Sequence, residues 1–382
     1  PTLQAEDGIR DFLLSLVGSE MCIRDRFWIG SQSGLDELDR TTRHFIHYDD
    51  ASADDFTLAI GAVMSIMQDR SGVLWLARHR SGLCRFDPDT GKCTIYAYNP
   101  DDSLNPQDMM GQVYEDREGT LWVGSEGGLL QFDRQAEAFT VYEHDPGDPQ
   151  SLSHNDVRAI YEDRAGHLWV ATSGGGLNRL DRSDRTFERY TDKLGLPSNI
   201  VQGILEDAQG YLWLSTSNGL SRFDPQADTF RNYDTGDGLQ DSEFLYGAYH
   251  QSADGKMYFG GVNGFNAFQP EEIRDHPYVP PVALTSLSQG GVEVDAGEAV
   301  ESVTDVTFSW PNNFFEFEFA ALSYSQPEKN QYAYRLEGFR DETWNYIGTK
   351  RFGRYTNLPG GTYTLRLRGS NSDSVWNEEG TS

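Results

Sequence analysis

The stretch Glu115-Asp116-Arg117-Glu118-Gly119-Thr120-Leu121-Trp122-Val123-Gly124 recurs along the chain, for example at residues 162–171. Its tryptophan returns at intervals of 47 residues, and the last two intervals are 44 and 45 residues. The repeated positions are Trp28, Trp75, Trp122, Trp169, Trp213 and Tyr258. A period of about 40 to 50 residues, built from short apolar runs and Gly/Asp turns, predicts a β-propeller with one four-stranded blade per repeat.

The first turn of most units follows the pattern Asp-x-x-Gly-x-x-Trp. Glycine suits a hairpin position with positive φ, and the aspartate can accept hydrogen bonds from the backbone N–H groups of the turn. Ser252 takes the place of the aspartate in the last repeat, so we expect a different turn there. The tryptophans are predicted to fill the space between blades, because a blade cannot bury both its faces alone.

The sequence is predicted to contain three segments, residues 1–26, 27–279 and 280–382. Residues 1–26 lie outside the repeat pattern and resemble a translated sequencing-library adapter, so they are left out of the fold prediction. Residues 27–279 are predicted to form an incomplete β-propeller with about five to six blades. Because residues 27–48 supply only three strands, we expect the first blade to lack its innermost strand and the propeller to be an open arc or a strained ring.

The third predicted segment, residues 280–382, has another pattern. Apolar and polar residues alternate at 314–319, 332–336 and 363–368, and Gly, Pro and Asn residues separate these runs. Short alternating strands of this kind predict a small β-sandwich of immunoglobulin or fibronectin type. We expect its closing strand to be absent and one sheet edge to be bare. The predicted fold class of the whole chain is all-β.

Composition restricts the possible partners. The formal net charge of −29 argues against nucleic acid and anionic membrane surfaces as partners. The sequence has no run of 18 apolar residues, which is the length needed for a membrane-spanning helix.

No residue set in the sequence predicts catalysis, a metal or a cofactor. His44 and His47 would point to opposite faces of a strand, which is poor metal geometry. Residues 87–91 lack the downstream glutamate of a calcium loop and are interpreted as a hairpin turn. Residues 173–176 are rich in glycine but lie between two strands, so a phosphate site is not expected. No nucleophile elbow is present. We therefore predict that this chain is not itself an enzyme.

The repeats and the segment that follows them resemble a known protein family. Phrases such as Leu121-Trp122-Val123-Gly124 and residues 219–225 resemble the two-component regulator propeller repeat. The tail is similar to the Y_Y_Y domain that follows such propellers, at residues 332–339, 355–359 and 368–372. The resemblance covers most of the chain from Phe27 onward.

The resemblance implies the periplasmic, ligand-sensing region of a membrane-bound signalling protein, most often a hybrid two-component histidine kinase. It implies a small-molecule ligand such as an oligosaccharide, a homodimer, and contact with the membrane only through a transmembrane helix outside these residues. The output domain could equally be a diguanylate cyclase or a DNA-binding regulator. Two alternatives stay open: a propeller enzyme, such as a lyase or glycosidase, and a structural protein-interaction propeller.

A disulfide is one of two interpretations of Cys84 and Cys93. Counting outward from the turn at Pro88 and Asp89 places the two cysteines directly opposite each other. The periplasmic location that the resemblance implies would permit a disulfide, provided that the strands come close enough at this pair. The alternative, two small buried hydrophobic side chains, is the preferred interpretation.

The candidate ligand-binding residues follow from blade geometry. If the first strand of each unit is innermost, the turn between its second and third strands and the connection to the next blade open on one face. We call this the connection face and expect polar residues to converge there around the channel. The candidates are His79, Arg80, Asn105, Glu126, His154, Asn155, Ser173, Ser198, Asn199 and Asn218.

Overall fold

The structure, a computed structural model, describes residues 20–23, 26–39, 42–48, 62–101, 104–273, 277–295, 297, 299–308, 313–339, 343–373 and 375–382. Most of the predicted adapter segment lies outside the described residues. The chain divides between Glu272 and Ile273 into two compact units. Both units consist of β-strands, turns and single-turn 3-10 helices, so the predicted all-β class is confirmed.

The described part of unit one contains six antiparallel sheets, each formed by consecutive strands in chain order. The first strands of neighbouring blades contact one another, as β5 does β9 and β17 does β21. These are the blades of the predicted propeller. Blade one consists of β1 (Glu20–Ile23), β2 (Arg26–Ser31), β3 (Gly34–Asp39) and β4 (Phe45–Tyr48). Blade two consists of β5 (Val63–Gln68), β6 (Leu74–Arg78), β7 (Gly82–Asp87) and β8 (Lys92–Tyr96). Blade three consists of β9 (Met110–Glu115), β10 (Leu121–Ser125), β11 (Gly128–Asp133) and β12 (Ala138–Tyr142). Blade four consists of β13 (Val157–Glu162), β14 (Leu168–Thr172), β15 (Gly176–Asp181) and β16 (Thr186–Tyr190). Blade five consists of β17 (Val201–Glu206), β18 (Leu212–Thr216), β19 (Gly219–Asp224) and β20 (Thr229–Tyr233). Blade six consists of β21 (Phe244–Gln251), β22 (Met257–Gly261) and β23 (Gly264–Phe268).

The first blade corrects the expectation of three strands. β1 pairs antiparallel with β2, from Glu20 opposite Ile29 to Ile23 opposite Arg26, and so completes a four-stranded sheet. An edge strand offers a row of unpaired N–H and C=O groups to any extended neighbour, because strand pairing uses the backbone. A segment outside the repeat pattern can therefore take the innermost place.

The turn of the last blade also differs from expectation. In blade two, the Asp69 N–H donates to the Val73 carbonyl and the Gly72 N–H to the Asp69 carbonyl. The last blade repeats both bonds, since the Ser252 N–H donates to the Lys256 carbonyl and the Gly255 N–H to the Ser252 carbonyl. The backbone turn is therefore the same, and the predicted difference was wrong. Only the side-chain bonding changes. The glycine at positive φ fixes this turn, whereas the acidic side chain adds to it.

Buried aspartates hold the tryptophans in place. The indole Nε1 donates to an aspartate Oδ2 at 2.8 Å in four blades. The other oxygen of each carboxylate accepts backbone N–H groups of the turn, as Asp116 does from Glu118 and Thr120. One side chain therefore fixes both the hairpin and the ring. The pairs are Asp69–Trp75, Asp116–Trp122, Asp163–Trp169 and Asp207–Trp213.

The core of unit one lies between neighbouring blades, as predicted for the tryptophans. Trp169 is fully buried against Val201, Ile204 and Phe223 of blade five. Trp122 packs in the same way on blade four. Burying a large apolar side chain contributes roughly 1.5 to 3 kcal/mol, so each blade depends on its neighbour for much of its stability.

Arginines form a second link between blades, which we call the arginine latch. The Arg70 guanidinium donates to the Arg117 carbonyl at 2.6 Å, and the Arg70 N–H donates to Glu115 at 2.9 Å. Arg117 makes the equivalent bonds to Arg164 and Glu162, and Arg164 makes them to Ala208 and Glu206. Each latch runs from one blade to the next one in the chain.

The cysteine register was predicted wrongly. Cys93 lies opposite Phe86 and Cys84 opposite Ile95, so the two cysteines are diagonal neighbours. The turn accounts for the shift, since Asp87 pairs with Lys92 and leaves four residues in the loop. The structure joins Cys84 and Cys93 by a disulfide, with 5.6 Å between their Cα atoms. It therefore favours the bridge over the preferred interpretation of two separate buried side chains.

The described residues of unit two form two facing sheets. One has the order β25-β24-β26-β29 and the other β28-β27-β30. Phe317 and Phe319 of the first sheet pack against Tyr332, Leu336 and Leu367 of the second. The strands are β24 (Val282–Gln289), β25 (Val292–Glu293), β26 (Phe315–Ala321), β27 (Tyr332–Glu337), β28 (Asn345–Gly348), β29 (Phe352–Tyr355) and β30 (Thr364–Gly369).

The sheet edge that was expected to be bare is partly covered. Leu367 of β30 exchanges two backbone hydrogen bonds with Thr381, at 2.9 and 3.0 Å. Ser370 also forms a bridge to Trp376. The end of the described chain thus folds back along β30, because the unpaired backbone groups of an edge strand bind the nearest extended segment.

Replacing Asp163 tests the aspartate–tryptophan link. Asp163→Ala removes the acceptor of the Trp169 indole and of the His167 N–H, both at 2.8 Å. We expect the free energy of unfolding to fall by about 1 to 3 kcal/mol, since buried donors lose their partner. Chemical denaturation measures the change. Asp184→Ala, on the exposed outer turn, is the control and should change stability by less than about 0.5 kcal/mol. Equal effects would contradict the assignment.

Acid should weaken the same link. Burial by itself raises the pKa of Asp163, but hydrogen bonds from Trp169 and His167 outweigh it and hold the pKa below its ordinary value. A depressed folded-state pKa stabilises the fold above the unfolded pKa of about 3.9, and this contribution is lost as pH falls through the folded value. We expect the stability gap between wild type and Asp163→Asn to shrink between about pH 5 and pH 3 in calorimetry. A constant gap would contradict this.

Candidate functional site

The structure brings predicted residues of blades four and five together. Ser173 forms a β-bridge with Ile200, and the Gly174 and Gly176 N–H groups donate to the Asn199 carbonyl at 2.9 and 2.8 Å. The turn between the second and third strands and the connection to the next blade therefore lie at the same end of the blade.

Other predicted residues lie at the same end of their own blades. His79 forms a bridge with Met109, and the Glu126 N–H donates to the Met109 carbonyl at 3.2 Å. The Asn218 side chain donates to the Pro197 carbonyl at 3.1 Å, and Ser198 and Ser217 share a hydrogen bond at 2.8 Å. Turns and connections interleave along the connection face.

Several of the predicted asparagines hold loops. Asn105 accepts the Gln107 N–H at 3.0 Å, and Asn155 accepts the His144 N–H at 2.6 Å. Asn199 accepts from the Asp192 N–H and donates to the Asp192 carboxylate. Their side chains are therefore engaged within the connections. Arg80, Glu126, His154 and Asn218 are the exposed members of the set.

Sequence reasoning missed two tyrosines of β21, Tyr246 and Tyr249, that lie against the inner strands of other blades. In the inner strands of blades two to five the register shift inserts one residue, as between Val157 and Ala159 of β13. In β21, by contrast, residues 245–248 face the single residue Gly260. This wide bulge brings Tyr246 across the channel, because an inserted segment re-aims its side chains away from the sheet.

Two glycines accommodate these tyrosines. A Cβ at position 111 would lie 2.2 Å from the Tyr246 hydroxyl oxygen, and one at position 203 would lie 2.1 Å from the Tyr249 ring. Gly111 belongs to blade three and Gly203 to blade five. The inner strand of blade six therefore packs on the inner strands of two other blades. The signal available in the sequence was the greater length of the first strand of the last unit, which has 8 residues where β5, β9, β13 and β17 have 6.

A charged cluster surrounds Tyr246. The Arg158 guanidinium lies 5.0 Å from the centre of the Tyr246 ring and pairs with the Asp156 carboxylate. Burial raises the pKa of Tyr246, and nearby Tyr249, Asp156 and Glu126 raise it further. Burial likewise raises the pKa of Tyr249, to about 12. Both phenols stay protonated at neutral pH, so they can donate hydrogen bonds.

This arrangement can bind a polar ligand at the connection face. Glu126 and His154 are exposed at this face, and Glu126 lies close enough to Tyr246 to act on its pKa, with Arg158 beside the same ring. Aromatic faces beside hydrogen-bonding and charged groups are typical of small-molecule sites. Among the described residues no group of three or more His, Cys, Asp or Glu side chains is arranged to hold a metal ion.

A surface hollow of about 910 Å³ lies elsewhere in unit one. It is lined by the first and third turns of blade four, including Gly166 and Asp181, and by residues 149–150. It contains none of the ten predicted residues. Its arginines are engaged, since Arg182 pairs with Glu162 and Arg179 with Glu188. In the part of the chain that the structure describes, no helix is long and apolar enough to cross a membrane.

Family models match both units. The two component regulator propeller model matches residues 103–127, 151–174 and 195–218. The Y_Y_Y domain model matches residues 323–382. The chain therefore carries two-component regulator propeller repeats followed by a Y_Y_Y domain, and the resemblance stated from the sequence is confirmed.

The chain is also similar to other proteins over most of its length. Histidine kinase P4 of Formosa agariphila is 25% identical over 98% of this chain, which spans 28% of that protein. The crystal structure of an extracellular domain assigned to a hybrid two component system of B. thetaiotaomicron is 22% identical, with a TM-score of 0.46, over 95% of this chain and 54% of that one. PorZ, a surface component of the type-IX secretion system of Porphyromonas gingivalis, is 14% identical with a TM-score of 0.50, over 92% of this chain and 49% of that one.

A substitution at Gly111 tests the packing in the channel. Gly111→Val places side-chain atoms where the Tyr246 hydroxyl lies, so we expect a loss of about 1 to 3 kcal/mol in stability from overpacking. Adding Tyr246→Ala should recover part of that loss, and denaturation of the single and double variants measures the coupling. Gly147→Ala, which meets only a flexible aspartate at 3.3 Å, is the control. Additive effects would show that the two residues do not touch.

Proposed function

We propose that this chain is the ligand-sensing region of a membrane-bound two-component signalling protein, located in the periplasm. The observation that carries the proposal is the order of modules, propeller repeats followed directly by a Y_Y_Y domain. The similar Histidine kinase P4 supports it. Because this chain spans 28% of that protein, a kinase or other output domain would lie outside these residues.

The proposed binding site is the connection face. Exposed Glu126 and His154 would supply polar groups, and in this proposal the tyrosines of β21 close the channel behind them. A ligand would therefore bind at the mouth instead of passing through. An oligosaccharide suits this arrangement, since it combines hydroxyl groups with apolar ring faces that pack on aromatic side chains.

The route for a signal would begin at β21. This strand supplies Tyr246 to the channel and continues through β22 and β23 to the single-turn helix Pro270–Glu272, where unit one ends. A ligand that displaces the bulge changes the blade that precedes the Y_Y_Y domain in the chain. Such coupling requires the ligand to bind two arrangements of β21 with different affinity. We further propose that two copies pair in the full-length protein.

Calorimetry with the 382-residue chain tests the ligand class and the site together. We expect binding to at least one member of a panel of neutral and acidic oligosaccharides. Glu126→Gln combined with His154→Ala should weaken it about tenfold or more, because both groups are exposed at the site. Glu188→Gln, on β16, is the control and should leave affinity within about twofold.

The possible results distinguish an error in the proposed binding site from an error in the proposed ligand class. Binding of amino acids or nucleotides alone would overturn the oligosaccharide assignment. Oligosaccharide binding that the double variant leaves unchanged would overturn the site. Absence of binding to every member of the panel would count against the sensing role itself.

A further inference from the structure

Blade two differs from blades one, three, four and five at positions whose side chains meet. The second strand ends in a serine or threonine in four blades, and the hydroxyl donates to the carbonyl of the turn glycine, as Thr172 does to Gly176 at 3.0 Å. Ser31, Ser125 and Thr216 make the equivalent bond. In blade two this position is Arg78, whose side chain is only 1% exposed.

The second and third departures are the two cysteines. Cys93 stands where blades one, three, four and five have Phe45, Phe139, Phe187 and Phe230. Cys84 lies on the same face of its sheet as Leu76 and Arg78, and all three face blade one. A small side chain at position 93 makes room for a long one at position 78.

The three side chains meet. The Arg78 Nη1 lies 4.0 Å from the Cys93 Sγ and donates toward it. Cys84 is completely buried, whereas Cys93 is partly exposed at the outer strand. A cation beside a sulfur stabilises the thiolate form, which is the reactive form in thiol–disulfide exchange.

We propose that Cys84 and Cys93 are a redox-active pair, open to exchange with a small-molecule thiol or dithiol, and that Arg78 positions and stabilises the Cys93 thiolate. This site lies among the side chains that blade two turns toward blade one, and it does not depend on the sensing role. It is a modification site of blade two.

The exchange balances as follows. An external thiolate attacks the accessible Cys93 sulfur, the Cys84–Cys93 bond breaks, and Cys84 leaves as a thiolate that takes up a proton. A second external thiolate then attacks the external sulfur of the mixed disulfide and releases Cys93 as a thiolate beside Arg78. The protein disulfide gains two electrons. Two external thiols become one disulfide and lose two protons, of which one is taken up by Cys84 and the other is released to solvent, because Cys93 stays a thiolate.

Other charged groups face this site less directly. Glu37 of blade one is buried and accepts the Tyr48 hydroxyl at 2.7 Å, and Tyr48 packs on the same cluster. Its negative charge opposes a thiolate. Lys92 and Arg85 of the hairpin itself are exposed. Arg78 is therefore the buried cation whose donor reaches the sulfur, and its effect can be separated from that of the exposed cations.

The first test measures the Cys93 thiol alone. In the 382-residue chain carrying Cys22→Ser and Cys84→Ser, the rate of iodoacetamide alkylation at Cys93 is followed against pH by mass spectrometry. We expect a half-maximal rate at least about one pH unit below the ordinary cysteine value of about 8.5. A half-maximal rate at or above that value would overturn the proposal, and this measurement needs no change at Arg78.

The second test removes the cation. Arg78→Ser restores the hydroxyl of the other blades, and it should slow alkylation at pH 7 about tenfold, whereas Arg78→Lys should retain most of the rate. Arg85→Ser removes the same charge from the same hairpin and should change the rate less than twofold. An unchanged rate in Arg78→Ser, or an equal loss in Arg85→Ser, would overturn the role of Arg78.

The third test concerns the pair with both cysteines present. The Cys22→Ser chain is equilibrated with glutathione over a range of reduced-to-oxidised ratios, and the reduced fraction is read by alkylation. We expect both forms to be populated within that range, with Arg78→Ser favouring the disulfide about tenfold. A pair that stays entirely oxidised or entirely reduced at every ratio would overturn the proposal.

Discussion

The bond between a buried aspartate and the tryptophan six residues later is the constraint on which unit one depends. It ties the first hairpin of a blade to the ring that fills the gap to the next blade. The carboxylate is buried but fully engaged, so its charge is compensated by donors that folding alone brings together. The same side chain therefore serves both the local turn and the packing between blades. Each repeat forms its own turn, but it needs the next blade to bury its tryptophan.

The sequence was sufficient for the blades because period, turn glycine and alternation all indicate the same strands. It was less informative where pairing depends on the backbone. Glu20–Ile23 joins the first sheet without matching the repeat, and Thr381 covers the edge at Leu367. The cysteine register shifted for a similar reason, since a loop of four residues between Asp87 and Lys92 cannot be distinguished from a shorter one by composition.

The meeting of turns and connections at one end of the blades was predictable from the sequence, but the bonding of their side chains was not. Loop topology places turns and connections at one end, and Ser173 and Asn199 lie there together. Which side chains stay available depends on hydrogen bonds that no pattern encodes, so Asn155 serves its own connection while Glu126 is exposed. Tyr246 reaches the channel only through the bulge in β21, and its fit requires Gly111, which lies 135 residues earlier in the chain.

The arginine latch gives the row of blades a direction. Arg70, Arg117 and Arg164 each donate to the blade that comes later in the chain, and the series stops at Ala208, which has no side chain to donate. During synthesis a newly made blade therefore holds an unsatisfied donor until its successor emerges. Domains form from the N-terminus onward as the chain is made, so the acceptors arrive in the order in which they are needed. Assembly of the propeller would therefore proceed from the N-terminal blade to the C-terminal one, and a circular permutation of the repeats would interrupt this order.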